Sequence, residues 1–386
     1  MGGSLGGLTA GLVLRDVGCD VRVFERSSAA LEARGAGIAV LDDTVRYFVE
    51  RRVLDVDQVC STTGWVRYLH PNGSTRYEEQ RRYRFSSWTT IYRALLSCFP
   101  RERYHLGREM VGFDQGEGAV TVRFADRGAY TCDLLVCADG IDSTARQLLL
   151  PDVVPRYAGY VAWRGTFPEH DLSVSTFQVL RDAITYQVLE HSHILVYPIP
   201  NLDGAVQPGR RLMNFVWYRN VADGGPLAAL MLDREGRQRL VSLPPGSVQQ
   251  RFVEELRAFA AAEMAPPIAE VVRETVEPFV QVIFDVAVPA MAFGRVCLIG
   301  DAAIVLRPHA AAGTAKAARD AWALAEALTA ADGNVDEALD RWEPGQLALG
   351  RQVMARASEI GTDSQVAGTW VPGDPKLAFG LHGPGR

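Results

Sequence analysis

The chain of 386 residues has no apolar run near the ~18–20 residues that span a bilayer. Its first residues also lack the basic-then-apolar pattern of an export signal. Membrane insertion and secretion are therefore not expected, and a cytoplasmic setting is. No basic stripe is longer than Arg81–Arg82, and 46 Asp+Glu outnumber 40 Lys+Arg for a net charge of −6. That leaves no electrostatic footprint for nucleic acid or for an anionic membrane surface. The six cysteines (Cys19, Cys60, Cys98, Cys132, Cys137, Cys297) include no C-x-x-C pair. Four lie in apolar runs such as LLVCADG and RVCLIGD, and the set reads as buried, reduced core thiols. What is present, 48% hydrophobic and 22% charged residues with 36 Gly and 20 Pro, excludes disordered, collagen-like and coiled-coil chains. The length allows about two domains, or one large α/β body with an insertion. The expected partner is a small molecule.

The N-terminal stretch GGSLGGLTAGLVLRDVGCDVRVFERS reads as a glycine turn, a helix with apolar Leu8, Leu12 and Leu14, and a strand over Val21–Phe24 ending at Glu25. This is most of a βαβ dinucleotide-binding unit, without its first strand, because only Met1 precedes the glycines. Residues 65–90, rich in Tyr, Trp, Arg and Thr around a turn at His70–Gly73, predict a β-hairpin, and a helix is expected over Ile91–Phe99. Strands are expected at Val120–Phe124 and Leu134–Ala138. From 156 to 285, strand-like runs such as YVAWRGTF, SHILVYPIP and LMNFVWYRNV alternate with turn clusters, and a helix is expected over Ser247–Ala262. A buried strand, an irregular loop and a long alanine-rich helix follow. The Gly/Pro-rich residues from Gly361 to Arg386 read as a loop or extended arm. The implied fold is α/β. A Rossmann-like dinucleotide-binding domain comprises residues 1–64, 91–156 and 286–360, an inserted mostly β substrate domain comprises 65–90 and 157–285, and a C-terminal arm covers 361–386.

Three segments carry chemistry. Gly2-Gly3-Ser4-Leu5-Gly6-Gly7 meets G-x-G-x-x-G at Gly2 and Gly7, with Ser4 in the middle place. Glycine there allows a tight turn and close helix packing, so free N–H groups and the helix dipole face a pyrophosphate. Glu25, 18 residues after Gly7, is near the ~20-residue spacing of a carboxylate that accepts hydrogen bonds from an adenosine ribose. A surface loop before an ordinary helix is the alternative. Next, the strand LLVCADG stops at Asp139-Gly140 and re-enters a helix at Ser143. Such a turn either brings backbone near a nucleotide or is a plain Asx turn. Last, Val296–Ile299 runs into Gly300-Asp301, then into Arg307-Pro308-His309-Ala310-Ala311-Ala312-Gly313-Thr314 and a helix. A strand ending in Gly-Asp places a carboxylate for a polyol hydroxyl, and a loop entering a helix offers N–H donors to an electron-rich ring edge.

In this order the motifs resemble the class A flavin monooxygenases of the p-hydroxybenzoate hydroxylase fold, over nearly the whole chain. The similarity is greatest to the branch acting on dihydroxypyridines, through YAGYVAWRGTF (Tyr157–Phe167), VYPIPN (Val196–Asn201), NFVWYRNVADG (Asn214–Gly224), GDAAIVLRPHAAAGTAKA (Gly300–Ala317) and PGDPKLAFGL (Pro372–Leu381). The common family pattern places a histidine after Gly-Asp-Ala-Ala and then P-x-x-G-x-G-x-N. Here Ile304, Pro308, Ala311, Gly313 and Ala315 stand in those places, a departure that the dihydroxypyridine branch shares. Related sequences carry a Val-Val pair before the glycines, so an upstream first strand is expected, with Met1 read from a valine codon.

The resemblance implies FAD as cofactor and NAD(P)H as a transient co-substrate. O2 would give a flavin C4a-hydroperoxide whose terminal oxygen passes to an electron-rich aromatic or N-heteroaromatic ring. Gly2, Ser4 and Gly7 would face the pyrophosphate, Glu25 the ribose, Arg34 the diphosphate or ribityl side, Asp139 and Gly140 the pyrophosphate, and Asp301 the ribityl chain. Pro308–Thr314 would line the isoalloxazine, with the Gly313 and Thr314 amides at its N1/C2 edge. Leu5, Arg26, Val111, Gly300, Ala311 and Ala312 complete the expected cofactor contacts. Deprotonating a hydroxy-heteroarene raises its nucleophilicity, so a base or cation is expected near the ring. His309 is the first candidate, with Pro308 and Tyr197 beside it; His191, His193, Tyr186 and Trp217 are further candidates. Arg164 reads as support for the sheet or the flavin, and Trp163, Trp217 and Tyr218 as core, with a place in the pocket lining as the alternative. A homodimer is the family habit, and no metal site is expected. The competing readings are a truncated or degenerate flavoprotein with weak or no FAD binding, and another flavin oxidoreductase of the same fold. The W-x-W-x-I-P signature of flavin halogenases is absent.

Overall fold

The computed structural model describes residues 1–31 and 37–386; Arg34 lies outside the described residues. The first helix, Leu5–Asp16, starts at Ser4, whose extended backbone precedes it without a side-chain cap. Leu5, Leu8, Leu12 and Val13 are buried. Glycine allows neighbours to approach closely here. A Cβ on Gly6 would lie 3.3 Å from Ala317 of the helix Gly313–Ala330, and one on Gly11 would lie 2.9 Å from Phe99. Alanine in the partner helix keeps helix propensity high at the same close spacing.

Val23–Phe24 pairs in parallel with Tyr104–His105, and Leu135–Cys137 pairs in parallel with Val296–Leu298. The first residues of the chain lie between these two ladders. The Met1 ammonium donates to Val136 O at 2.6 Å, Ala138 N–H donates to Met1 O at 2.7 Å, and Gly2 N–H donates to Phe24 O at 2.9 Å. At this level the terminus itself bridges the place of the expected first strand.

The other body is a sheet whose path runs Ser242–Leu243, Phe279–Ala287, Arg156–Pro168, Leu212–Asn220, Ser192–Ile199, Ala183–Leu189, Ser61–Leu69, Thr75–Ser87 and Gly37–Ala39, with Ile304–Val305 joined to Phe279–Ala287. The expected hairpin is its Ser61–Leu69 and Thr75–Ser87 pair, longer at its start than residue 65. Alternation along Leu212–Asn220 sends Met213, Phe215 and Trp217 into one core and Val216 and Tyr218 into the opposite one. The first core is closed by the helices Gln250–Glu263, three residues later than expected at its start, and Pro266–Glu274, which was not anticipated. Pro266 and Pro267 occupy the first turn of that second helix, where a missing N–H removes no helical bond.

The C-terminal boundary differs from the expectation. The helix Val335–Thr362 runs past Gly361 and continues as a π turn over Asp363–Ala367 before the arm begins. Gly361 serves close approach and not a turn, because a Cβ there would stand 2.8 Å from Tyr160 OH and 2.9 Å from His309 Nε2. The arm is packed down: Trp370, Phe379 and Leu381 are buried. All six cysteines are free thiols, and Cys19, expected in the core, is exposed after the Gly18 turn. No helix among the described residues is long and apolar enough to cross a membrane.

Candidate active site

The three turns meet at one edge of the parallel ladders. Gly2 has φ 88°, and a Cβ there would lie 2.2 Å from Ala138 O; one on Gly7 would lie 1.9 Å from Gly2 O. Both places therefore accept only glycine, and the leading N–H groups of Leu5–Asp16 are left without a side-chain cap. Glu25 is buried and already bonded, accepting from Gly3 N–H at 2.8 Å and Ser27 N–H at 2.9 Å. It braces the glycine turn. Asp139 accepts from Ser143 OH at 2.6 Å and Ala145 N–H at 3.2 Å, so its side chain serves the start of the helix Thr144–Leu149. Gly140, with φ 80°, has open space where a Cβ would stand. Arg146 was not foreseen: it is buried and donates to the carbonyls of Asp301, Ala302 and Ile141, tying the second turn to the third. Arg26 is exposed, as is Val111 at 51% on the strand Met110–Gln115, and neither reaches the cavity described below.

Gly300, with φ 59°, turns the chain so that Asp301 is exposed beside the cavity. A buried ion pair holds this turn from beneath. Lys316 Nζ lies 2.7 Å from Asp320 Oδ2, which also accepts Gly300 N–H at 2.8 Å. Lys316 is one of only two lysines in the chain, and its i,i+4 acid in an alanine-rich helix was the signal that could have revealed the pair. Pro308–Ala310 forms a single tight turn, Ala311 has φ 56°, and Ala312 precedes the helix Gly313–Ala330 without a side-chain cap. The leading N–H groups of that helix, and its dipole, are thereby left for a negative ring edge. Two uncapped helix starts, glycines with no room for a Cβ and an exposed carboxyl between them fit an extended dinucleotide. FAD would be held with its pyrophosphate at Leu5–Asp16 and its ring at Gly313–Ala330. Bound there, it supplies the redox and oxygen-activating chemistry that side chains lack.

From this loop a cavity of about 220 Å³ extends between the sheet and the C-terminal arm. Tyr186, His193, Tyr197 and Tyr218 line it from the sheet, Trp370 and Phe379 from the arm, and Pro308, His309 and Ala311–Thr314 from the loop. His309 sits among rings. Its Nε2 is 2.8 Å from Tyr160 OH, its centroid is 4.6 Å from that of Tyr218 and 5.4 Å from that of His193, and its buried Nδ1 has no partner among the described residues. Burial and the Arg307 charge push His309 down to about 3, and burial beside His309 pushes His193 down as well. Burial pushes the Tyr160, Tyr186, Tyr197 and Tyr218 phenols up. The histidines and phenols of the inner chamber thus stay neutral at ordinary pH, beside the charged Arg164 and Arg307 that also line it. With so low a pKa, His309 is a weak base, and its neutral Nδ1 serves a ligand as a hydrogen-bond partner while Nε2 is held by Tyr160 OH.

Arg164 also lines the chamber, and it grips Gly37, donating from Nη2 to Gly37 O while Asn214 Oδ1 accepts Gly37 N–H at 3.0 Å. Its other arm, Nη1, donates to Gln281 Oε1 at 2.8 Å. Trp163 and Trp217 face the opposite core, whereas Tyr218, grouped with them from the sequence, faces the chamber by strand alternation. His191 stands exposed in a turn with φ 46° and does not line the cavity.

A dinucleotide groove opening into an aromatic chamber defines the class: flavin-dependent aromatic monooxygenases. The profile of the FAD binding domain-like family matches residues 157–285. The chain is 36% identical over 382 residues to 2,6-dihydroxypyridine 3-monooxygenase of Paenarthrobacter nicotinovorans, covering 99% of this chain and 94% of that one. The structure of 2,6-dihydroxypyridine-3-hydroxylase from Arthrobacter nicotinovorans superposes with a TM-score of 0.93 at 36% identity, covering 98% of this chain and 95% of the other. Klebsiella pneumoniae HpxO, complexed with FAD and uric acid, shares the fold with a TM-score of 0.75 at 22% identity, over 97% of this chain and 89% of its own. The chain belongs to the 2,6-dihydroxypyridine 3-monooxygenase family of FAD-dependent aromatic monooxygenases.

Proposed function

We propose that the protein hydroxylates a small hydroxylated N-heteroaromatic ring of the dihydroxypyridine type, with FAD, NAD(P)H and O2. The observation carrying this reading is His309 Nδ1, buried and without a partner among the described residues, in an aromatic chamber next to the uncapped start of Gly313–Ala330. A hydroxypyridine placed there finds a hydrogen-bond partner for an ionisable oxygen or ring nitrogen, while the surrounding rings stack on it and exclude water. Tyr160 orients the imidazole, and Tyr197 and Pro308 bound the ring. Gly2, Ser4, Gly7 and Glu25 hold the adenosine diphosphate half of FAD, and Gly300, Asp301 and Ala311–Thr314 hold its ribityl and ring half. The protein is a cytoplasmic homodimer in this reading; its six free thiols suit a reducing compartment, and light scattering reads the assembly mass.

Purified protein given FAD is expected to show the visible bands of bound flavin, and 2,6-dihydroxypyridine is expected to stimulate NAD(P)H oxidation with a product one oxygen atom heavier. Bound flavin without any hydroxypyridine-dependent oxidation would overturn the substrate class. No bound flavin would overturn the whole reading and favour the degenerate flavoprotein.

A further inference from the structure

After the long helix the chain turns back over the aromatic chamber, and its last residues form part of the wall. Trp370, 8% exposed, stacks on His193 with centroids 4.2 Å apart and planes at 28°, and its Nε1 donates to Tyr68 OH at 3.3 Å. Phe379 packs on Tyr83 with centroids 4.6 Å apart, and its N–H donates to Tyr83 OH at 3.1 Å. Gly380 N–H donates to Ala310 O at 3.2 Å, which joins the arm to the loop that carries His309.

The anchoring of these two rings differs from that of the other walls. Tyr186, His193, Tyr197 and Tyr218 stand on strands laddered to their neighbours, so their backbone cannot move without breaking several hydrogen bonds. Trp370 and Phe379 stand on a segment that joins no ladder. Beside the contacts above, its ion pairs cluster at the start of the arm. Lys376 Nζ bonds Asp363 Oδ2 and lies 3.7 Å from Asp374 and 3.8 Å from Glu359, while Thr369 OH donates to Asp363 Oδ1 at 3.0 Å. Asp363 begins the π turn, so the pair closes the arm onto its own hinge. The bond to Lys376 holds the Asp363 carboxyl below its usual range, and the same bond holds the ammonium above its own.

We propose that Trp370 and Phe379 set the size of the ring that the chamber accepts, and that the Lys376–Asp363 pair is the clasp that keeps them in place. This rests on reading the chamber as the ring-binding site. In this proposal the intact wall admits a single six-membered ring. Removing one aromatic side chain frees about the space that separates a monocyclic heteroarene from a fused bicyclic one, and apolar pockets discriminate even one methylene by about 10–200-fold.

The test uses the full-length protein with FAD added, as wild type and as Trp370→Ala, Phe379→Ala, Trp370→Leu and Asp363→Asn. Each is titrated calorimetrically with 2,6-dihydroxypyridine and with 2,4-dihydroxyquinoline, and circular dichroism reports the fold. The wild type is expected to prefer the single ring, and the alanine variants to shift the ratio of the two Kd values toward the fused ring by about tenfold or more. Asp363→Asn is expected to shift it the same way by less, and to speed chymotryptic cleavage at Trp370 and Phe379. Trp370→Leu carries the test if the alanine variants do not fold. An unchanged ratio in folded variants overturns the proposal, as does failure of both rings to bind the wild type. The shift in binding without hydroxylation supports the wall and overturns the functional reading, so the two fail separately.

Discussion

The two halves of the cavity are built by different means. On the nucleotide side the groups offered are backbone N–H donors at two helix starts, and side chains matter mainly by being small: Gly2, Gly7, Ala311, Ala312 and Gly313. In the aromatic chamber the groups offered are side chains brought from several strands, a loop and an arm. Backbone recognition is unforgiving, because one added methyl on Gly7 would meet Gly2 O at 1.9 Å. A wall of rings is adjustable, because exchanging one ring alters volume without disturbing the ladder beneath it. The difference teaches that, in the proposed reading, cofactor choice and substrate choice can change separately.

The largest effect is expected under the nucleotide side. Lys316→Met leaves Asp320 buried without its counter-charge, and such a loss costs about 3–5 kcal/mol. The denaturation midpoint should fall sharply and FAD retention with it, because Asp320 also positions Gly300. A change under about 1 kcal/mol would mean that the turn stands without the pair.

In the chamber, His309→Asn is expected to lower kcat about 100-fold while FAD content stays unchanged. If flavin were lost as well, the two halves would not be separable. Since His309 is held near 3 when folded and an unfolded histidine titrates near about 6.5, the folded state keeps it neutral. Its contribution is complete above the unfolded pKa and is lost as pH falls from there toward 3. The wild-type kcat profile should therefore show no His309 ionisation near neutrality, and the asparagine variant should be less acid-sensitive in thermal unfolding below that range.

Gly7→Ala forces the Gly2 backbone itself to move, at a cost at or above the about 1–3 kcal/mol of an overpacked site, and is expected to appear as weaker FAD affinity with the preference among rings unaltered. Least affected should be Asp336→Ala, at an exposed pair with Arg295, worth about 0–1 kcal/mol in the same unfolding measurement and without effect on either half.

What could be read from residue order follows the same division. Gly2–Gly7, Gly300–Asp301 and Pro308–Thr314 are contiguous, and their spacing carries the turns and helix starts with it. The partners of the chamber are not contiguous. Tyr160 and His309 are 149 positions apart, His193 and Ser364 171, and Trp370 and Tyr68 302. The arm starts later than Gly361 for a related reason: a glycine that makes room for a distant pair looks, in sequence, like part of a Gly/Pro-rich loop.

Residue order alone therefore settled the α/β class, the family and the glycine turns, because backbone conformation at glycine, proline and strand ends is decided within a few residues. The assembled fold settled which rings face the chamber, the bracing of Gly300 by Lys316 and Asp320, and the neutrality of His309. Those depend on burial and on contacts across the whole chain, and residue type specifies neither.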